Sequence, residues 1–253
     1  MNPAIVGIVV FTCTLGGALL GMWLRAALPE HHLEEDSKDT IQVGIGLIAT
    51  LTALVLGFVT ASAKSSFDTV DAAVRTTATD ILTLDRLLAR YGPETGGIRA
   101  DFQRLVAHRI DMMWPQNSSR PPEVDPWESE PEAEALVHRI RSLMPNNASQ
   151  RTLQTRALEV AESLLKTRWM VAEQTRKATP LPFLVILLFW LTITFASFGL
   201  FAPKNLTVFT VLLLCALSIS SALFLVLEME GPFDGLVKIS ADPWRYALGH
   251  LNQ

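Results

Sequence analysis

Four stretches of the chain carry apolar residues almost without interruption: residues 4–24, 41–63, 181–202 and 206–227. Each runs for about 20 residues with no formal charge. At about 1.5 Å of rise per helical residue, that length crosses the roughly 30 Å of hydrocarbon in a bilayer. Arg25 and Pro29 close the first run, Lys64 the second, Pro203 the third, and Glu228, Glu230, Gly231 and Pro232 the fourth. Soluble core helices seldom stay uncharged so long, so four membrane-spanning helices are expected.

The pattern changes beyond Lys64 without stopping. Phe67, Val70, Val74, Ile81, Leu84, Leu88 and Tyr91 recur at three- and four-residue steps, which predicts that span two continues as an amphipathic helix until Gly92 and Pro93 end it. Ile98, Phe102, Leu105, Val106 and Ile110 mark a second helix over residues 98–114. Residues 115–131 are rich in proline and acids and read as a loop or a partly disordered segment. A third helix holds Leu136, Val137, Ile140 and Leu143, and a fourth covers residues 150–177. No strand alternation occurs. The expected fold is an all-α membrane protein with a helical cytoplasmic domain between spans two and three. Its segments are residues 1–63 (spans one and two), 64–179 (cytoplasmic helices), 180–228 (spans three and four) and a cytoplasmic tail, 229–253.

Charge sets the expected orientation. Lys64, Arg75, Arg168, Arg176, Lys177, Lys238 and Arg245 fall on one side, and Arg25, Lys38 and Lys204 on the other. The richer side is expected to be cytoplasmic, with both termini inside and the protein in the plasma (inner) membrane. The net charge of −4 comes with no basic stripe, which argues against nucleic acid as a partner. Cys13 and Cys215 lie in separate apolar runs and read as packing residues rather than a disulfide or metal pair. The first run has no basic residue before it and no cleavage site after it, so it is expected to stay in the mature protein. No nucleophile motif or phosphate loop is present, and no enzyme activity, cofactor or metal is expected. Uncharged spans also disfavour a transporter. The sequons at Asn117, Asn147 and Asn205 read as chance matches.

Three groups of residues carry the functional options. In span two, Gly46, Thr50, Ala53, Gly57, Thr60 and Lys64 form a small, weakly polar face, and beside it Thr50, Leu54 and Phe58 lie at i, i+4 and i+8. Close helix packing explains such a face, and so does a helix repeated around an axis to line a pore with an apolar constriction. In span one, Cys13, Gly17 and Gly21 form a packing seam. The loop of residues 29–40 brings His31, His32, Glu34, Glu35, Asp36 and Asp39. It is either a solvated outer loop or a cation-attracting, pH- or metal-sensitive pore entrance, with Lys64 at the other end. Glu228, Glu230 and Asp234 cluster where span four ends, as an ion-pair network with Lys64, Arg75 or Arg176 or as a gate.

Two stretches resemble the bestrophin-like membrane protein family. They are residues 44–58 (Gly-Ile-Gly-Leu-Ile-Ala-Thr-Leu-Thr-Ala-Leu-Val-Leu-Gly-Phe) running into Ala63-Lys-Ser-Ser-Phe67, and Gly231-Pro-Phe-Asp-Gly235 running through Ile239-Ser240 to Pro243. The family is distantly similar to true bestrophins, pentameric ion channels in which the second-span helix forms an apolar neck. That resemblance implies a homo-oligomer, a pentamer above other numbers, with Thr50, Leu54 and Phe58 at the neck and monovalent ions as cargo. It favours an anion such as chloride, whereas the acidic outer loop favours a cation. Thr50 and Leu54 are smaller or more polar than a fully bulky neck, and the aspartate-rich calcium clasp of animal bestrophins has no counterpart after span four. The competing reading is a non-conducting scaffold or sensor, embedded in membrane lipid, whose cytoplasmic helices bind a partner.

Overall fold

A computed structural model describes residues 2–28, 35–115, 122, 130–176, 181–203 and 205–252. The described residues are almost wholly helical: α1 (Pro3–Ala27), α2 (Glu35–Tyr91), a 3-10 turn (Pro93–Thr95), α3 (Gly96–Met113), α4 (Glu130–Arg141), α5 (Ala148–Arg176), α6 (Leu181–Phe201), α7 (Leu206–Met229) and α8 (Asp242–Gly249). The chain divides into two compact units, residues 1–65 with 178–230, and residues 66–177 with 231–253.

The first unit holds four helical stretches long and apolar enough to cross a membrane, in α1, α2, α6 and α7. Their starts follow from capping chemistry. Asn2 accepts from the Ala4 N–H with Pro3 in the first turn, and Asn205 accepts from the Val208 N–H. The sequon at Asn205 is therefore a helix cap. So is that at Asn147, whose side chain accepts from the Gln150 N–H at the start of α5; Asn117 lies outside the described residues. Small residues decide how α1 meets α6. A Cβ on Gly21 would lie 2.0 Å from the Ala196 carbonyl oxygen, one on Gly199 would lie 2.0 Å from that of Ala18, and one on Gly17 would lie 2.7 Å from that of Thr192. The two backbones touch because nothing but hydrogen stands between them, the packing expected of the Gly17–Gly21 seam. Ser220 of α7 donates to the Gly7 carbonyl, and Arg25 donates to that of Ala202, tying the ends of α1 to α7 and α6. Cys13 is half-buried and Cys215 is exposed on α7, so only the first is placed as a packing residue.

The second unit has its own apolar core of Val74, Ile81, Leu84, Leu88, Phe102, Val106, Ile140 and the C-terminal Trp244 and Ala247. α2 stops where Gly92 takes a φ of 145°, a conformation open to glycine, and Pro93 removes a donor. The buried Thr95 hydroxyl bonds the Leu88 and Gly92 carbonyls that this ending frees. Gln154 of α5 likewise donates to the Ile140 and Leu143 carbonyls at the end of α4.

The segment 231–253 belongs to this core. Trp114 donates its indole N–H to the Ile239 carbonyl at 2.8 Å, and Trp244 donates to that of Val74 at 2.9 Å. Trp114 also meets Phe233 and Trp244 edge to face at 5.4 and 5.7 Å. The Gly231–Gly235 turn is closed by the Ile239 N–H on the Pro232 carbonyl, with Gly235 at a φ of 81°. Asp85, almost fully buried, takes a bidentate pair of bonds from Arg99 at 2.7 and 2.9 Å, and the Asn252 N–H reaches the same carboxylate. That carboxylate raises the Arg99 guanidinium further above its ordinary value, through hydrogen bonding first.

Candidate pore-lining helix

At about 100° per residue, α2 presents three arcs in the first unit. The inward arc is packed: Val55, Val59 and Ala63 meet Val226 and Met229 of α7, while Leu56 joins the cluster of Val10, Leu187, Leu191 and Leu223. Thr52 is buried on that side and donates its hydroxyl to the Ile48 carbonyl.

The other two arcs are largely exposed among the described residues. One is small: a Cβ built on Gly46 or Gly57 meets nothing within 4 Å, and Ala53 and Thr60 are exposed beside them. The adjoining arc is bulky, with Val43, Leu47, Leu54 and Phe58 exposed, Leu54 at 70% and Phe58 at 72%. Of the most apolar stretch of α2, 11% is buried, against 33% in each of the other three candidate spans. The small residues of span two thus do not serve packing within the chain, unlike those of span one.

Thr50, Leu54 and Phe58 lie on this unpartnered side, about 6 Å apart along the axis and about 40° apart around it. The Thr50 hydroxyl donates to the Gly46 carbonyl at 2.8 Å and Thr60 to Leu56 at 2.7 Å, so their protons are satisfied and their lone pairs face outward. Lys64 is exposed and follows Gly57 and Thr60 on the same arc.

The other sequence-derived groups are placed as follows. His31, His32 and Glu34 lie outside the described residues. Glu35 and Asp36 are not in a loop: α2 begins at Glu35, so residues 35–40 are helical. Glu228 is buried in the last turn of α7 and Glu230 caps that helix, both in the first unit. Asp234 belongs to the second unit, exposed, and accepts from the N–H of Gly235. Arg75 pairs with Asp71, one turn back on its own helix. No three His, Cys, Asp or Glu side chains converge among the described residues.

Sequence reasoning missed the Trp114–Phe233–Trp244 cluster and the Asp85–Arg99 pair. The first had a signal in the two tryptophans that end α3 and open α8; the second had none beyond an aspartate on an apolar helix face.

All-helical architecture with four long apolar helices, one of them half bare, defines an integral membrane protein. A model of the bestrophin-like domain matches residues 12–244, and the chain belongs to the bestrophin-like family. No curated protein and no solved structure matches it.

Proposed function

We propose that the protein is a homo-oligomeric ion channel whose α2 helices surround the conduction path, with Leu54 and Phe58 as an apolar constriction and Thr50 above it. The observation that carries this reading is the bare half of α2. A helix meant only for lipid gains nothing from an open glycine arc, whereas that arc lets a second helix approach closely. With the small arc against a neighbouring subunit, the adjoining Thr50–Leu54–Phe58 arc turns toward the axis. A ring of exposed leucines and phenylalanines there gates by dewetting. Family membership supports the same class of function, and a pentamer follows from the distant similarity to bestrophins. Residues 64–179 and the C-terminal segment are read as cytoplasmic, in the plasma (inner) membrane, from the charge distribution along the sequence.

The cargo is a small monovalent ion. Bestrophin similarity favours chloride; the Glu34, Glu35 and Asp36 carboxylates and the outward lone pairs of Thr50 favour a cation. Replacing the three acids by neutral amides shifts the permeability ratio if they form the entrance, and leaves it unchanged if they are merely solvated.

The test of the pore face is water access. Phe58→Cys in a Cys13→Ala background is treated with a charged, membrane-impermeant thiol reagent, with native Cys215, exposed on α7, as the lipid-face reference. Position 58 is expected to react, because a thiolate forms in water and not in hydrocarbon. Inertness of both sites, and of Thr50→Cys outside the constriction, would return this face to lipid and favour the non-conducting scaffold.

A further inference from the structure

At its Lys38 end, α2 leaves the rest of the first unit. No side chain of α2 between residues 38 and 50 is buried, whereas Thr52, Val59 and Ala63 further along are. An open cleft of about 570 Å³ lies there, walled by Ile45 and Ala49 of α2, Phe198 and Phe201 of α6, and Val208 and Val211 of α7. All three helices carry candidate membrane spans, so these apolar walls face hydrocarbon rather than water. The mouth of the cleft is polar. Ala202 belongs to the lining, and its carbonyl takes a hydrogen bond from Arg25 near the end of α1. Gln42 stands in the same lining. Trp23, exposed two residues before Arg25, marks the head-group depth at which indole rings and guanidinium groups come to rest.

Size decides what fits. Gln42 and Ala49 are roughly 10 Å apart along α2, and a helix about 10–12 Å across needs roughly 800 Å³ or more over that depth. The cleft is too narrow for a helix of a neighbouring subunit. An apolar cavity of about 150 Å³ holds benzene, so about 570 Å³ holds about 20 carbons. Over that depth, such a volume matches the glycerol-proximal halves of two acyl chains. Chains that fill it gain dispersion contacts that an empty cleft forfeits, which is the attraction left to apolar surfaces inside a bilayer. The Arg25 guanidinium, in the fork geometry that matches a phosphate, stands within one residue's breadth of the mouth. We propose that the cleft between α2 and the α6–α7 pair binds one diacyl phospholipid per chain, with its tails against Ala49, Phe198 and Val211 and its phosphate at Arg25. This site stands apart from the conduction reading and does not depend on it.

The experiment titrates the delipidated full chain in detergent and counts retained lipids by native mass measurement. The probes are dioleoyl phosphatidylglycerol, its single-tailed lyso form and dioleoylglycerol. The phospholipid is expected to bind at one copy per chain. The lyso form, which lacks a tail, and dioleoylglycerol, which lacks the phosphate, are expected to bind at least about tenfold more weakly. Ala49→Phe, which grows into the cleft from α2, abolishes this binding; Val211→Phe fills it from α7 should the first variant fail to fold. Arg25→Gln keeps an N–H for the Ala202 carbonyl, weakens the phospholipid about tenfold and leaves dioleoylglycerol unchanged. Absence of retained phospholipid overturns the proposal. So does dioleoylglycerol or the lyso form binding as tightly as the phospholipid, and so does phospholipid binding that survives in a folded cleft-filling variant. An oligomer that dissociates in both cleft-filling variants, with lipid retention unchanged, places a neighbouring subunit in the cleft and overturns it as well.

Discussion

Two glycines of similar sequence context should respond oppositely to the same substitution. Gly21 of α1 and Gly57 of α2 each sit in a small-residue stripe of an apolar helix. A methyl group on Gly21 would stand 2.0 Å from the Ala196 carbonyl oxygen and 2.8 Å from the Leu200 nitrogen, both backbone atoms that cannot rotate away. Side-chain carbons do not approach oxygen within 3.0 Å, so α1 and α6 must separate by at least about 1 Å along their contact. Such overpacking costs about 1–3 kcal/mol, and loosening the neighbouring Gly17 and Gly199 contacts puts this site at the upper end. Improved helix propensity returns about 1 kcal/mol at most. Gly21→Ala is therefore expected to lose about 2 kcal/mol. Gly57→Ala meets nothing within 4 Å, so the same propensity gain leaves the isolated chain unchanged or about 0.5–1 kcal/mol more stable. Reversible unfolding of detergent-solubilised monomer, followed by circular dichroism against denaturing detergent, reads both values. Native mass measurement of Gly57→Leu then reads assembly, and the oligomer is expected to dissociate while the monomer stays folded. Equal destabilisation by both alanine variants would show that the open arc of α2 is packed within the chain. An intact oligomer in Gly57→Leu would show that the arc does not face a neighbouring subunit.

Further outcomes follow from the second unit. Arg99→Met leaves the buried Asp85 carboxylate without its bidentate partner and is expected to cost about 3–5 kcal/mol, measured by urea unfolding; Asp85→Asn with Arg99→Met should recover part of that loss. Trp244→Phe keeps most of the ring burial but removes the indole bond to the Val74 carbonyl, which keeps its intrahelical donor, a loss of about 0.5–1.5 kcal/mol. Faster proteolysis of the C-terminal segment at subdenaturing urea reports the same change, and wild-type resistance would contradict the assigned role of that bond. Asn205→Ala should remove about 1 kcal/mol by uncapping α7, read as a lower melting temperature in detergent.

Much of the architecture was legible from composition and spacing. Four uncharged runs specify apolar helices because a bilayer offers no partner for backbone polar groups, and Gly92-Pro93 ends α2 by removing both the preferred φ and a donor. Phe67, Val70, Val74 and Leu88 face the core as their helical spacing requires. The start of α2 was misread as loop because acidic residues suit both solvent and a helix N-terminus, and periodicity does not separate the two. The docking of the C-terminal segment was illegible for another reason. Trp114 meets Ile239 and Trp244 meets Val74 across more than a hundred residues of chain, and no local pattern encodes such a pairing. α8 was missed because eight residues give too few turns for a periodic signal. The family stretch at 231–243 gains a physical basis from these contacts: its proline, phenylalanine and positive-φ glycine build a turn that seats the tail on Trp114. For α2 the sequence left its small face open between packing and pore; among the described residues nothing lies within 4 Å of a Cβ on Gly46 or Gly57, whereas Gly17 and Gly21 of α1 are closed by backbone of α6.

The conduction reading meets its most direct test in a planar bilayer holding the purified oligomer under an asymmetric NaCl gradient. Discrete currents are expected, with altered conductance in Leu54→Ala and Phe58→Ala, and the sign of the reversal potential names the ion as anion or cation. Currents indifferent to both substitutions would contradict the α2 constriction. Silence from folded oligomer in which a Thr50→Cys thiol, above the constriction, is shielded from water would contradict the channel itself.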